Sequence, residues 1–109
     1  MAEQDEWPPP RARVRASLYR AEGHLVRGEW LPAARALTDA LPYAGRKERA
    51  LVLGLRHLAV AGLRRKDGDG VRARRQLDRA RLRLAPFVGE YVDVDVASLL
   101  WLVSREIES

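Results

Sequence analysis

The 109-residue sequence contains no cysteine, which excludes disulfide bonds, thiol nucleophiles and cysteine-ligated metal sites. Lysine is also scarce, since 18 of the 20 basic residues are arginine. No apolar run approaches the roughly 20 residues that a membrane-spanning helix needs. The first seven residues carry three acids and no base, which is unlike a signal or transit peptide. We therefore expect a cytoplasmic protein with no membrane partner.

The length and composition fit a single globular domain. A hydrophobic content of 47% is too high for a disordered chain. Residues 1–10 are acidic and end in three prolines, and we interpret them as a flexible, proline-rich leader. We interpret residues 11–109 as one helical domain.

Apolar residues recur at helical spacing in five segments, which are separated by glycine and proline. The predicted helices begin near Arg11, Pro32, Arg46, Val71 and Asp95, and the first four end near Gly28, Leu41, Lys66 and Ala85. Residues 92–94 read valine, aspartate, valine, but the sequence offers no second strand to pair with them. The predicted fold is therefore all-α: a compact bundle of about five helices, with two helical hairpins and a C-terminal helix.

A weak repeat with a period of forty residues supports the two hairpins. The first set is Gly28, Ala33, Leu37 and Ala40, and the second is Gly68, Ala73, Leu77 and Ala80. Each set is a turn followed by a helix, which predicts two similar helical hairpins. The period does not match tetratricopeptide repeats, which also need three or more units.

Three blocks of sequence carry a resemblance to a known family. They include Gly28-Glu29-Trp30-Leu31, Leu58-Ala59-Val60-Ala61 and Val94-Asp95-Val96-Ala97-Ser98-Leu99-Leu100. In this order they resemble the domain-of-unknown-function family 309, which comprises small all-helical prokaryotic proteins. The resemblance implies a helical fold, and it implies no particular activity because the family's function is uncharacterised.

The chain departs from that family where the family has its most polar stretch. The second helix of the family usually carries Glu-Ala-His-Glu, whereas this chain reads Pro32-Ala33-Ala34-Arg35. Both carboxylates and the histidine are therefore missing. Two glutamines that are often seen in the family's central helix correspond to Leu53 and His57. We identify the chain as a divergent member that lacks the family's candidate site.

The two histidines, His24 and His57, lack the ligand spacing of a metal site. No carboxylate lies three or four residues from His57, and Glu48 is nine residues away. The segment 67–70 resembles the opening of a calcium-binding loop, but its fifth position is valine and its twelfth is Asp78. We therefore predict no metal and no cofactor.

Motifs for nucleophilic catalysis are missing as well. No serine lies in a Gly-x-Ser-x-Gly elbow, and no glycine-rich loop is present to cradle a phosphate. We therefore expect no enzymatic activity. The alternative hypothesis is a ligand-binding or enzymatic site between the second and third helices. Its candidate residues are Arg35, Glu48, Arg56 and His57.

Positive charge is concentrated in the middle of the chain, although the net charge is only +5. Residues 11–83 hold 19 bases and 7 acids, whereas both ends are acidic. Arginine can contact phosphates with two parallel hydrogen bonds, so this segment is a candidate surface for nucleic acid or another polyanion. The candidate residues are Arg64, Arg65, Lys66, Arg72, Arg75, Arg79 and Arg83. No aromatic residues are interleaved with them to stack on bases.

Two tryptophans complete the set of candidate functional residues. We expect Trp30 to anchor the first hairpin. Trp101 lies near the edge of its helix's apolar face, where it covers the core, docks the leader or joins an oligomer interface. The leading hypothesis is a non-enzymatic protein-interaction or scaffold module whose partner is another protein or a second copy of the chain. Polyanion binding and the site between the helices are the alternatives.

Overall fold

The computed structural model describes residues 9–89 and 94–108. It contains five α-helices, which are α1 (Pro10–Val26), α2 (Trp30–Ala40), α3 (Arg46–Lys66), α4 (Gly70–Leu84) and α5 (Val96–Glu108). No β-strand occurs among these residues, so the prediction of an all-α fold with about five helices is confirmed. Two predicted segments lie partly outside the described residues. The first eight residues of the leader are not described, and neither are residues 90–93, which include two residues of the valine-aspartate-valine segment.

Prolines set several of the helix boundaries. Pro10 is the first residue of α1, where its missing N–H costs no hydrogen bond. Short 3-10 turns follow α2 at Leu41–Tyr43 and α4 at Ala85–Phe87, and each contains a proline as its second residue. A proline ring clashes with a continuing helix, so both helices end there. None of the helices in the described ranges is long and apolar enough to span a membrane.

The turn between α1 and α2 is a Schellman motif. Gly28 has a φ of 70°, which a residue with a side chain rarely adopts. The N–H of Gly28 donates to the Leu25 carbonyl at 3.1 Å, and the N–H of Glu29 donates to the His24 carbonyl at 2.8 Å. These two bonds satisfy carbonyls at the end of α1 and reverse the chain direction.

The turn between α3 and α4 repeats this geometry forty residues later. Gly68 has a φ of 83°, and its N–H donates to the Arg65 carbonyl at 3.0 Å. The N–H of Asp69 donates to the Arg64 carbonyl at 2.8 Å. The weak repeat in the sequence therefore corresponds to two hairpins that turn in the same way.

All five helices contribute to one hydrophobic core. Helices α1 to α4 pack against one another in chain order, and α5 contacts α1, α3 and α4. The repeated apolar residues are fully buried in both hairpins, namely Ala33, Leu37 and Ala40 in the first and Ala73, Leu77 and Ala80 in the second. The hairpin repeat thus supplies equivalent positions to the core.

Trp30 joins the two hairpins rather than anchoring the first one alone, which corrects the expectation from sequence. A Cβ placed on Gly62 of α3 would overlap the Trp30 ring. The ring therefore lies directly against the backbone of α3. Gly54 is in a similar position, because a Cβ there would lie 2.5 Å from Leu84 Cδ2 on α4. These two glycines permit the close approach of α2 and α4 to α3.

Asp95 caps α5 as its position before the helix predicts. Its Oδ1 accepts a hydrogen bond from the Ser98 backbone N–H at 3.1 Å, and its Oδ2 accepts one from the Ser98 hydroxyl at 2.7 Å. The hydrogen bond from the Ser98 hydroxyl makes the larger contribution to lowering the pKa of the Asp95 carboxyl, and the hydrogen bond from the Ser98 backbone N–H makes the smaller one. The Asp95 N–H in turn donates to Glu22 Oε2 at 3.1 Å, which ties the start of α5 to α1.

Acidification should weaken the fold through this cap. A carboxyl whose pKa is lowered by folding stabilises the native state above its unfolded pKa, and that contribution is lost as the pH falls through the folded pKa. The free energy of unfolding should therefore decrease below about pH 4. The decrease should be smaller in Asp95→Asn, since asparagine also caps helices but does not titrate. Urea unfolding at several pH values measures this, and equal acid sensitivity in both proteins would contradict the assignment.

Candidate functional site

His57 lies at the contact between α3 and α4. It is half-buried, and its Nδ1 lies 2.7 Å from Oε1 of Gln76. His57 was predicted to belong to a site between α2 and α3. Its side-chain hydrogen bond instead joins α3 to α4.

The residues of the alternative site do not converge on a common point. Glu48 is in the first turn of α3, where its Oε1 accepts a hydrogen bond from the Gly45 N–H at 3.3 Å. His57 lies nine residues further on, which is about two and a half turns and therefore on the opposite side of α3. Arg35 on α2 and Arg56 on α3 are exposed. Within the described ranges, no group of three or more histidines and carboxylates is placed to hold a metal ion.

His24 belongs to a small ionic cluster at the turn between α1 and α2. Its Nδ1 lies 2.7 Å from Oε1 of Glu29, and Arg27 Nε donates to the same oxygen at 3.0 Å. The His24 hydrogen bond, followed by that of Arg27, lowers the pKa of Glu29. This carboxylate is thus engaged in stabilising the turn.

The predicted basic surface begins at the C-terminal end of α3, where its three residues have different surroundings. Arg64 is half-buried, and Lys66 is exposed. Arg65 donates from Nε to the Glu106 carbonyl at 3.4 Å, which directs it towards α5. Arg65 and Lys66 are both exposed, so two of the three residues are accessible to a ligand.

On α4 the arginines of this surface are exposed, and most of them form no ion pair with a described residue. Arg72 lies 3.4 Å from Asp69, the N-cap residue of the helix. Arg75, Arg79 and Arg83 form no ion pair within 4.0 Å with any described carboxylate. Their spacing of four residues places them along one side of the helix over about 12 Å. Among the described residues, the charge of these three arginines is therefore not balanced by an ion pair.

Arg81, which was not assigned to the predicted surface, connects α4 with α5. Its Nη2 donates to the Ser104 hydroxyl at 3.2 Å and to Glu108 Oε1 at 3.0 Å. It also lies 3.5 Å from Asp78 on its own helix. Arg81 is two residues from both Arg79 and Arg83, which places it on a different side of α4. In the sequence, this spacing is the only feature that separates Arg81 from the row of arginines.

Large apolar side chains are also exposed on α4 and α5, and those of α4 were not among the residues predicted from the sequence. Leu82 is 79% exposed, and Val71 is 67% exposed. Both lie on the side of α4 that carries Arg75, because residues seven and eleven apart share a helix face. Trp101 on α5 is 61% exposed, and the Arg105 guanidinium carbon lies 5.1 Å from the centre of its ring. Trp101 therefore faces solvent, and covering the core is not its role.

No protein-family model matches this sequence, and no curated protein or solved structure matches it either.

Proposed function

We propose that this chain is a non-enzymatic interaction module, which binds another macromolecule through the exposed face of α4. The observation that carries the proposal is a row of three arginines, Arg75, Arg79 and Arg83, which form no ion pair with the carboxylates of residues 9–89 and 94–108 and lie beside the exposed Leu82. Charges of one sign on an exposed helix attract a partner of the opposite sign. The divergence of Glu48 and His57 on opposite sides of α3 weakens the alternative of a catalytic site.

Polyanion binding is the second candidate function, and the composition of α4 favours it. This helix carries six arginines and one aspartate. Each arginine can neutralise a phosphate, and such binding weakens steeply as the salt concentration rises. The cytoplasmic location and the membership of family 309 stay predictions, as does self-association.

Photo-cross-linking tests whether a macromolecule binds at α4. Benzoylphenylalanine in place of Arg75 should give discrete high-mass adducts when the purified protein is added to a lysate of its native host. The same probe in place of Arg35, which is exposed on α2, is the matched control and should give few adducts. Charge reversal of Arg79 and Arg83 should remove the adducts at position 75 by weakening the attraction. Equal labelling at both positions, or no adduct at either, would refute the proposal.

A further inference from the structure

We infer that the α4 face binds an acidic amphipathic helix of another protein, an inference that rests on the proposed function. The α4 face is defined here as Val71, Arg75, Arg79 and Leu82 together with Trp101 of α5. All five of these residues are exposed. The α4 face combines positive charge with apolar surface. A partner therefore has to offer both negative charge and apolar side chains.

The apolar residues distinguish a protein partner from nucleic acid. Leu82 is 79% exposed and Trp101 is 61% exposed. A phosphate backbone would bind the arginines but offers no apolar surface to bury Leu82. Protein interfaces, by contrast, are enriched in tryptophan and arginine, which together supply much of the binding energy. The combination of arginines with exposed apolar side chains therefore favours a protein partner over nucleic acid.

The apolar and basic residues of the α4 face follow one side of the helix, and a second helix lying alongside has the geometry to match them. Val71 and Leu82 are eleven residues apart, which places them on the same side of the helix and about 16 Å from each other. Arg75 and Arg79 lie between them in the sequence. A helix lying along α4 would repeat its apolar residues with the same period and place glutamates or aspartates against the two arginines.

Arg81 connects α4 with the helix that carries Trp101. The hydrogen bonds from Arg81 reach Ser104 and Glu108 on α5. These two residues follow Trp101 by three and seven positions, so all three lie on one side of α5. The side of α5 that Arg81 contacts is thus the side that carries Trp101. The exposed Trp101 ring is therefore carried by a helix that Arg81 connects to α4.

Charge argues against a second copy as the occupant of the α4 face. In a two-fold symmetric dimer the same patch meets itself, so Arg75 and Arg79 would face identical arginines. Residues 70–84 contain a single acid to offset their six arginines. The complementary partner is therefore acidic, whereas this surface is basic.

Fluorescence anisotropy with the full chain tests the inference. The probe is a labelled synthetic helix of about 18 residues, in which leucines recur at helical spacing and glutamates occupy the flanking positions. A peptide of the same composition in scrambled order and a 20-base-pair DNA duplex, about two turns long, complete the set of ligands. At about 0.15 M salt we expect the ordered peptide to bind more tightly than the scrambled peptide and the duplex.

Substitutions then separate the contribution of charge from that of apolar contact. The double variant Arg75→Glu and Arg79→Glu should weaken peptide binding by about tenfold or more, and Leu82→Ser should weaken it by about tenfold. Arg35→Glu with Arg49→Glu makes the same charge change on exposed residues of α2 and α3, and should change affinity by less than about threefold. Circular dichroism verifies that each variant is folded.

Several results would overturn the inference. Equal affinity for the ordered and scrambled peptides would show that charge alone is recognised. The duplex could bind more tightly than the ordered peptide, with an affinity that Leu82→Ser does not change. That result would assign the face to nucleic acid. Failure to bind the ordered peptide, with adducts still formed from position 75, would refute this partner while leaving the proposed function intact. Failure of both experiments would refute the proposed function.

Discussion

Replacing Gly62 with alanine should lower the free energy of unfolding by about 2 kcal/mol, because the new methyl group overlaps the Trp30 ring. Alanine is normally favoured over glycine inside a helix by about 1 kcal/mol, so the clash has to exceed this gain. The ring is part of the contact between α2 and α3, and displacing it would expose apolar surface. Urea unfolding monitored by circular dichroism measures the change.

Two controls give the Gly62 prediction a definite sign. Gly23→Ala, in α1, should stabilise the protein by about 0.5–1 kcal/mol, because its closest new neighbour is the flexible guanidinium of Arg27 at 3.2 Å. In a Trp30→Ala background, Gly62→Ala should likewise become stabilising, since the obstructing ring is gone. Destabilisation of similar size with and without Trp30 would contradict the packing described.

Leu37→Ala and Leu77→Ala should each cost about 3 kcal/mol, and the two costs should agree to within about 1 kcal/mol. Both leucines are fully buried, and they occupy equivalent positions in the two hairpins. Each substitution removes apolar contacts and leaves a cavity in the shared core. The same unfolding experiment measures both variants.

Leu82→Ala is the matched control for these core substitutions, because Leu82 is an α4 leucine that is 79% exposed. Its effect should stay within about 0.5 kcal/mol. If Leu37→Ala or Leu77→Ala had a similarly small effect, the hairpin in question would not contribute to the core as described.

Helix boundaries could be predicted from the sequence because local chemistry determines them. The predicted third helix, from about Arg46 to Lys66, has the bounds that the structure gives for α3. The predicted fourth helix began at Val71, one residue later than α4 does. Glycine with a positive φ and proline end helices irrespective of the surrounding fold, so such signals are readable from one sequence.

Contacts between helices could not be predicted in the same way. An apolar stripe shows which side of a helix is buried, but it does not show which helix covers that side. Trp30 was therefore assigned to its own hairpin, whereas its ring lies on Gly62 of the other hairpin. For the same reason His57 was grouped with residues of α2, although its partner is Gln76 of α4.

Only part of the candidate surface could be predicted from the sequence. Helical spacing identifies Arg75, Arg79 and Arg83 as one row, because that relation is local. Whether an arginine is free or paired depends on how α5 docks, and this distinguishes Arg81 from its neighbours. The exposure of Leu82 depends equally on the arrangement of the helices, since leucine is ordinarily a core residue.

NMR spectroscopy locates the acidic helix on the protein and shows whether it binds at the α4 face. We would titrate the isotopically labelled protein with the ordered peptide and follow the backbone amides and tryptophan indole N–H groups by NMR. We expect shifts at Arg75, Arg79 and Leu82 and at the Trp101 indole, with little change at Arg35 on α2. Shifts confined to α1 and α2, with the Trp101 indole unchanged, would contradict this prediction.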